Sequence, residues 1–243
     1  MTTSAGLAKL DREWLARAPR SIRHPLARAL LVLTFTTGLV EDVSYLGLGH
    51  VFTAKMTGNI VFLGFGIAGS GGLPVLAPLI SLASFLLGAA GGGVFADRIG
   101  DRHRVHVARA LAIEVSLLAV AAGVAVAVDV RPNTASGDIV IALLAFAMGV
   151  RNATVRRIGV PDLTTTVLTM TLTGLAADSP PAGGTGKGSV RRIAAVLAMF
   201  GGALTGALLL KTSLVLPLIA AAWLALATWL VYIPAARRGA LSA

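Results

Sequence analysis

The chain has 243 residues, 56% of them apolar and 13% charged, and its mean hydropathy of +0.82 exceeds what a water-soluble fold can cover with polar surface. A net charge of +10 would suit a nucleic-acid binder only if the basic residues lined a folded polar face. They cluster instead between long apolar runs, which argues against nucleic acid and predicts an all-α polytopic membrane protein, while the absence of cysteine excludes disulfides, thiolate metal sites and cysteine nucleophiles.

In chain order, residues 1–25 are a basic, Ala- and Arg-rich segment with Trp14, which reads equally as an interfacial amphipathic helix or a basic tail. The apolar run that begins near Leu26 is too long for a signal-peptide core and lacks a small-residue cleavage pattern, so it is expected to stay in the mature chain. Eight apolar segments follow, at about 28–48, 56–69, 75–96, 108–128, 139–155, 163–177, 193–210 and 214–233. The second and sixth fall short of the ~20 residues that cross ~30 Å of hydrocarbon and are rich in Gly and Thr.

Arginine and lysine positions choose between eight crossings and six. With eight, twelve basic residues lie on the cytoplasmic side and eight outside. With the two short segments re-entrant or broken, eighteen lie inside against Arg131 and Lys211, Lys55 being uncounted in both. Positive charge is retained on the cytoplasmic side, so six crossings are expected, with both termini cytoplasmic in a bacterial inner membrane. The predicted organisation is a cytoplasmic segment 1–25, a transmembrane domain 26–233 and a cytoplasmic tail 234–243.

A shift of 111 residues superposes the segment layout of the two halves, about 26–128 and 138–233, placing Gly38 on Gly149, Glu41 on Asn152, Thr53 on Thr164 and Gly91 on Gly202. Each half would cross three times, so the expected arrangement is a 3+3 inverted repeat, a common transporter architecture.

Glu41 and Asp42 lie inside the first span, where a charged carboxylate costs at least ~2.5 kcal/mol. Asp42 is 14 residues from Arg28, as Asn152 is from Asp138, so an inverted repeat would put the two at equivalent depths facing one cavity. The bland alternative pairs the acids with Lys55 or lets one reach the outer interface. The stretches GLGHVFTAKMTGN (47–59) and GVPDLTTTVLTMTLTG (159–174) read as broken helices whose freed backbone lines a cavity. Lys55, Thr57, Asn59, Thr165 and Thr169 are therefore candidate substrate or ion contacts, with helix-to-helix hydrogen bonding the competing role for each threonine.

Other features carry less. The glycines Gly88, Gly91, Gly92, Gly93 and Gly201, Gly202, Gly206 read as close helix packing. His103 and His106 have no acid or thiol set to complete a metal site and are expected on solvated surface, and no metal or cofactor is implied. Glu114 is expected near the inner end of its span, snorkelling toward arginines. DSPPAGGTGKGSV (178–190) fails the phosphate-loop spacing, with Pro181 where a glycine is required, and reads as a flexible linker.

The blocks GLVEDVSYLGLGHVFTAKMTGNIVFLGFG and GVRNATVRRIGVPDLTTTVLTMTLTGLAAD resemble the YoaK-type family (domain of unknown function 1275) over nearly the whole chain. That resemblance implies a bacterial integral membrane protein without an established substrate. The family usually carries Asp then Ala at the positions of Glu41 and Asp42, Asn at Lys55 and Gly at Met170. The segment GVFADRIGDRHR (93–104) is similar to the major-facilitator cytoplasmic loop, which implies a latch through Asp97 and Arg98; a converged Gly-Asp-Arg turn explains it equally well.

The expected function is a small-molecule secondary transporter or permease, ion- or proton-coupled, with the bilayer and a small solute as partners and a homodimer as a plausible assembly. The alternative is a non-transporting membrane assembly or signalling protein. An enzyme is not expected, since no nucleophile–base pair or metal set is visible.

Overall fold

The computed structural model describes residues 24–99, 103–159, 165 and 168–241. Eight helices are present among them: α1 (Pro25–Asp42), α2 (Met56–Ile67), α3 (Leu76–Ile99), α4 (His103–Ala127), α5 (Ala135–Ile158), α6 (Thr169–Ala177), α7 (Ser189–Leu210) and α8 (Val215–Leu241). Six are long and apolar enough to cross a membrane, whereas α2, with 12 residues, spans about 18 Å and α6, with 9, still less.

Local sequence accounts for several helix ends. At α1, Pro25 fills the first turn, where its missing N–H costs nothing, and His24 Nδ1 accepts from the Leu26 N–H. At α5, Thr134 caps the start by accepting from Gly137 N–H and Asp138 sits in the first turn. The other end of α5 carries Arg156 and Arg157 and stops at Gly159, whose φ of 64° suits the left-handed cap. Beyond Asp42, α1 widens into a π-turn over Val43–Gly47 before the chain reverses through Gly49 and His50.

Side chains such as Leu86, Leu87, Phe200, Trp223 and Val231 face outward, as expected where lipid replaces water. Lipid gives helices little hydrophobic reason to associate, so close approach of backbones decides the packing. The main pairings are α3 on α5, α1 on α7, α4 on α8, α4 on α5 and α1 on α8, with α2 against α3 and α6 against α7. At α1–α7, Gly38 lies on the Met199–Ala203 backbone and Gly202 on the Phe35 carbonyl; at α3–α5, Gly149 lies on Phe85 and Ala89 and Gly88 on the Phe146 carbonyl. In each case a Cβ would collide with backbone. Gly92 also packs, against Val150 and Ala153, but nothing lies within 4 Å of a Cβ on Gly91 or Gly93, so those two glycines are not packing contacts.

Two large apolar cores and a small cluster of Ala54, Ala147 and Met148 fill the bundle. One large core holds Leu26, Leu30, Leu33, Val107, Leu111, Val155 and Tyr232; the other holds Leu39, Val40, Leu118, Ile141, Leu144 and Leu218. Between these cores, α1, α4 and α5 bury the polar side chains Thr37, Glu114 and Arg151. Trp229 Nε1 donates to the Ala108 carbonyl at 2.8 Å, tying α8 to α4.

The stretch 178–190 is not the flexible linker expected. It is a compact turn in which Gly183, Gly186 and Gly188 take positive φ, Gly186 N–H donates to the Asp178 carbonyl, and Asp178 Oδ2 meets Arg192 Nη2 at 2.8 Å. Residues 1–23 of the predicted basic segment 1–25 lie outside the described residues, and α8 continues through Pro234 to Leu241.

Candidate functional site

Where α1 breaks, the chain turns back and residues 51–54 return beside the helix they left. Glu41, 4% exposed, holds that returning segment. Its Oε1 accepts from Ala54 N–H at 2.6 Å, Thr53 N–H at 3.2 Å and Thr53 Oγ1 at 3.4 Å. These donors have no helix to satisfy them, so a carboxylate oxygen is the natural acceptor. The second oxygen, Oε2, is buried without a partner among the described residues. Ala54 packs on Ala147 and Met148 of α5, which places the broken stretch inside the bundle.

Asp42, one residue on, turns to another neighbour. Its carboxylate lies against Gly206 of α7 and takes a backbone hydrogen bond from the Ala207 N–H. Lys55, half-buried at the start of α2, interacts electrostatically with both acids and stands 5.3 Å from the centre of the Phe52 ring. Phe52 in turn stacks on Tyr45 at 4.8 Å and Phe62 at 5.8 Å.

Asn59 is fully buried and its amide is spent on the same loop. Oδ1 accepts from Phe52 N–H at 2.8 Å, while Nδ2 donates to the Phe52 carbonyl at 2.5 Å and to Ser81 Oγ at 3.1 Å. Ser81 Oγ donates to the Phe52 carbonyl as well, at 2.6 Å, so α3 and α2 grip the segment from one side and Glu41 from the other. Thr57 is exposed in the first turn of α2.

The second-half candidates sit elsewhere. Asn152 donates to the Met148 carbonyl of its own helix at 2.8 Å and lines a cleft of about 620 Å³ with Phe85, Ala89, Gly93, Arg156 and Arg157, away from Glu41 and Asp42. Thr165 is buried with φ of 61° and Thr169 is exposed at the start of α6. Asp97 reaches Arg157 of α5, Nη1 to Oδ1 2.5 Å, in an exposed ion pair; Arg98 is exposed in the last turn of α3.

Two expectations are corrected. Glu114 does not snorkel: α4 begins at His103, so Glu114 lies mid-helix, 1% exposed, and pairs with Arg151, 3% exposed. Arg151 Nε donates to Glu114 Oε2 at 2.8 Å, Nη2 donates to Oε1, and Nη1 donates to the Leu33 carbonyl at 2.8 Å and Thr37 Oγ1 at 2.6 Å. This fork, which joins three helices, was counted from sequence only as cytoplasmic charge; the usable signal was a lone acid and a lone arginine each inside an apolar run. His106 is not solvated surface but 2% exposed, beside the Phe95 ring at 6.1 Å between centres.

Six long apolar helices, a helix broken around a buried carboxylate and a buried arginine fork define an α-helical integral membrane protein. The chain belongs to the family described as "Protein of unknown function (DUF1275)", whose model matches residues 29–231. It is 35% identical over 153 residues to UPF0700 transmembrane protein YoaK of Bacillus subtilis (strain 168), a match covering 61% of this chain and 65% of that relative. No solved structure matches it.

Proposed function

We propose that the protein is a small secondary transporter or permease of a small solute, coupled to an ion or proton through Glu41. The observation that carries this reading is the buried carboxylate oxygen Glu41 Oε2, left without a hydrogen bond among the described residues where a transmembrane helix is broken. An unused acceptor in a bilayer is expensive, and a site that transiently takes a proton or cation relieves the cost.

The helix pairings support a 3+3 inverted repeat. Exchanging α1 with α5, α2 with α6, α3 with α7 and α4 with α8 turns each main pairing into another of the set: α3–α5 becomes α7–α1 and α4–α5 becomes α8–α1. Phe35 and Gly38 take the place of Phe146 and Gly149, which are 111 residues on, although their partners Gly88 and Gly202 are 114 apart. Such repeats rock about a central site. Charge bias orients the assembly in a bacterial inner membrane with both termini inside.

A non-transporting assembly role is favoured by a different observation: Asn59 and the Arg151 fork use their hydrogen bonds entirely within the protein. The two readings separate in liposomes loaded with a pH-sensitive dye and challenged with a panel of organic acids, amines and sugars under a proton gradient. We expect at least one solute to drive proton movement in the wild type and Glu41→Gln to abolish it with an unchanged Tm. Absence of flux with every solute, or a Glu41→Gln variant that transports normally, counts against transport through this acid.

A further inference from the structure

The first and last crossings enclose a groove that the broken-helix site does not use. It has a volume of about 330 Å³ and is walled by Pro25, Arg28, Ala29 and Val32 of α1 and by Leu224, Ala227, Thr228, Val231 and Tyr232 of α8. Ala29 and Ala227 are the small residues of its two walls. Its length is set by the span from Pro25 to Val32 and that from Leu224 to Tyr232, helical rises of about 10 to 12 Å at ~1.5 Å per residue. One leaflet of a bilayer with a ~30 Å core is about 15 Å deep, so the groove runs most of a leaflet.

Among the lining side chains only Arg28, Thr228 and Tyr232 are polar, and only Arg28 is charged. Arg28, in the first turn of α1, is exposed, and its guanidinium has no hydrogen bond or ion pair among the described residues. Thr228 and Tyr232 are the other polar side chains of the wall; the Thr228 hydroxyl is already spent on the Leu224 carbonyl at 2.7 Å, and Tyr232 is buried. A cation on a largely apolar, acyl-length slot matches a molecule with an anionic head and a hydrocarbon tail. Guanidinium pairs bidentately with phosphate, and basic grooves between spans on the cytoplasmic side suit anionic head groups.

We propose that the α1–α8 groove is a binding site for an anionic phospholipid, with the phosphate at Arg28 and one acyl chain along Ala29, Val32, Ala227 and Val231. It is independent of the transport reading, because none of these residues touches Glu41 or its loop.

The test is native mass spectrometry of the full-length protein released from detergent after incubation with phosphatidylglycerol, with phosphatidylcholine of the same chains, or with glycerol phosphate. Wild type should retain one phosphatidylglycerol roughly tenfold better than phosphatidylcholine and should not retain glycerol phosphate. Arg28→Ala should erase the difference between the two lipids, and Ala227→Trp, which fills the slot from an exposed helix position, should lose both adducts. Retention of glycerol phosphate alone would reduce the site to a phosphate contact and overturn the proposal. So would equal retention of the two lipids by wild type, or an Ala227→Trp variant that keeps its lipid. Circular dichroism at matched concentrations establishes that each variant is folded before its adducts are read.

Discussion

At the scale of single residues, two acids in this bundle are bound in opposite ways. Glu114 is fully paired: both its oxygens meet Arg151, whose remaining fork reaches Leu33 and Thr37. Glu114→Ala would strand a buried guanidinium and is expected to cost about 3–5 kcal/mol, read as a large fall in Tm in detergent. The double variant Glu114→Leu with Arg151→Met removes both charges and should recover most of that loss. If it stays as unstable as the single variant, the ion pair is not what the single variant disrupts. Glu41 uses only one oxygen, so Gln can keep the bonds to Thr53 and Ala54, while Glu41→Ala leaves two loop N–H groups unsatisfied. We expect Glu41→Ala to destabilise by roughly 1–3 kcal/mol, and proteolysis at 48–55 to quicken in that variant but not in Glu41→Gln.

At the scale of elements, backbone contact sets the register of the helices. Gly202 sits on the Phe35 carbonyl, whereas Gly91 faces open space. Gly202→Leu should therefore push α7 from α1 and lower stability by about 1–3 kcal/mol, whereas Gly91→Leu should be neutral by thermal unfolding. Equal effects would mean that small-residue packing is not what joins α1 to α7. The repeat spacing alone pointed to Gly91 rather than Gly88. Glycine is common along α3, and a one-turn difference in where two helices touch leaves no trace in composition. The Asp97–Arg157 pair, exposed on both sides, joins helix ends but contributes at most about 1 kcal/mol.

At the scale of the whole molecule, six crossings follow from length and hydropathy, and the basic residues still favour one side after Arg151 is recognised as buried. The chain lacks cysteine, so single-cysteine variants report topology directly. In sealed vesicles an impermeant maleimide should label Lys187→Cys from the cytoplasmic face and Arg131→Cys from the opposite face. Labelling of both from one face would break the odd number of crossings between them and with it the inverted repeat. The candidate site was legible in part: buried acids beside a Gly- and Thr-rich interruption are rare enough to stand out in sequence. What Asn59 bonds to was not, because its partners Phe52 and Ser81 come from different elements.

Sequence by itself determined the solvent of this protein, the number of its long apolar helices and the place where the first one breaks. Those are properties of contiguous residues: hydropathy summed over a span, charge at its ends, glycine and threonine where backbone must be freed. Only tertiary structure decided that Arg151 belongs to Glu114, that Glu41 grips residues 53 and 54 while Asp42 turns to Gly206, and that Asn152 lines a cleft of its own. Each of those depends on the rotation and offset of one helix against another. Helix packing fixes these through a few angstroms of backbone approach to which the linear pattern is nearly blind.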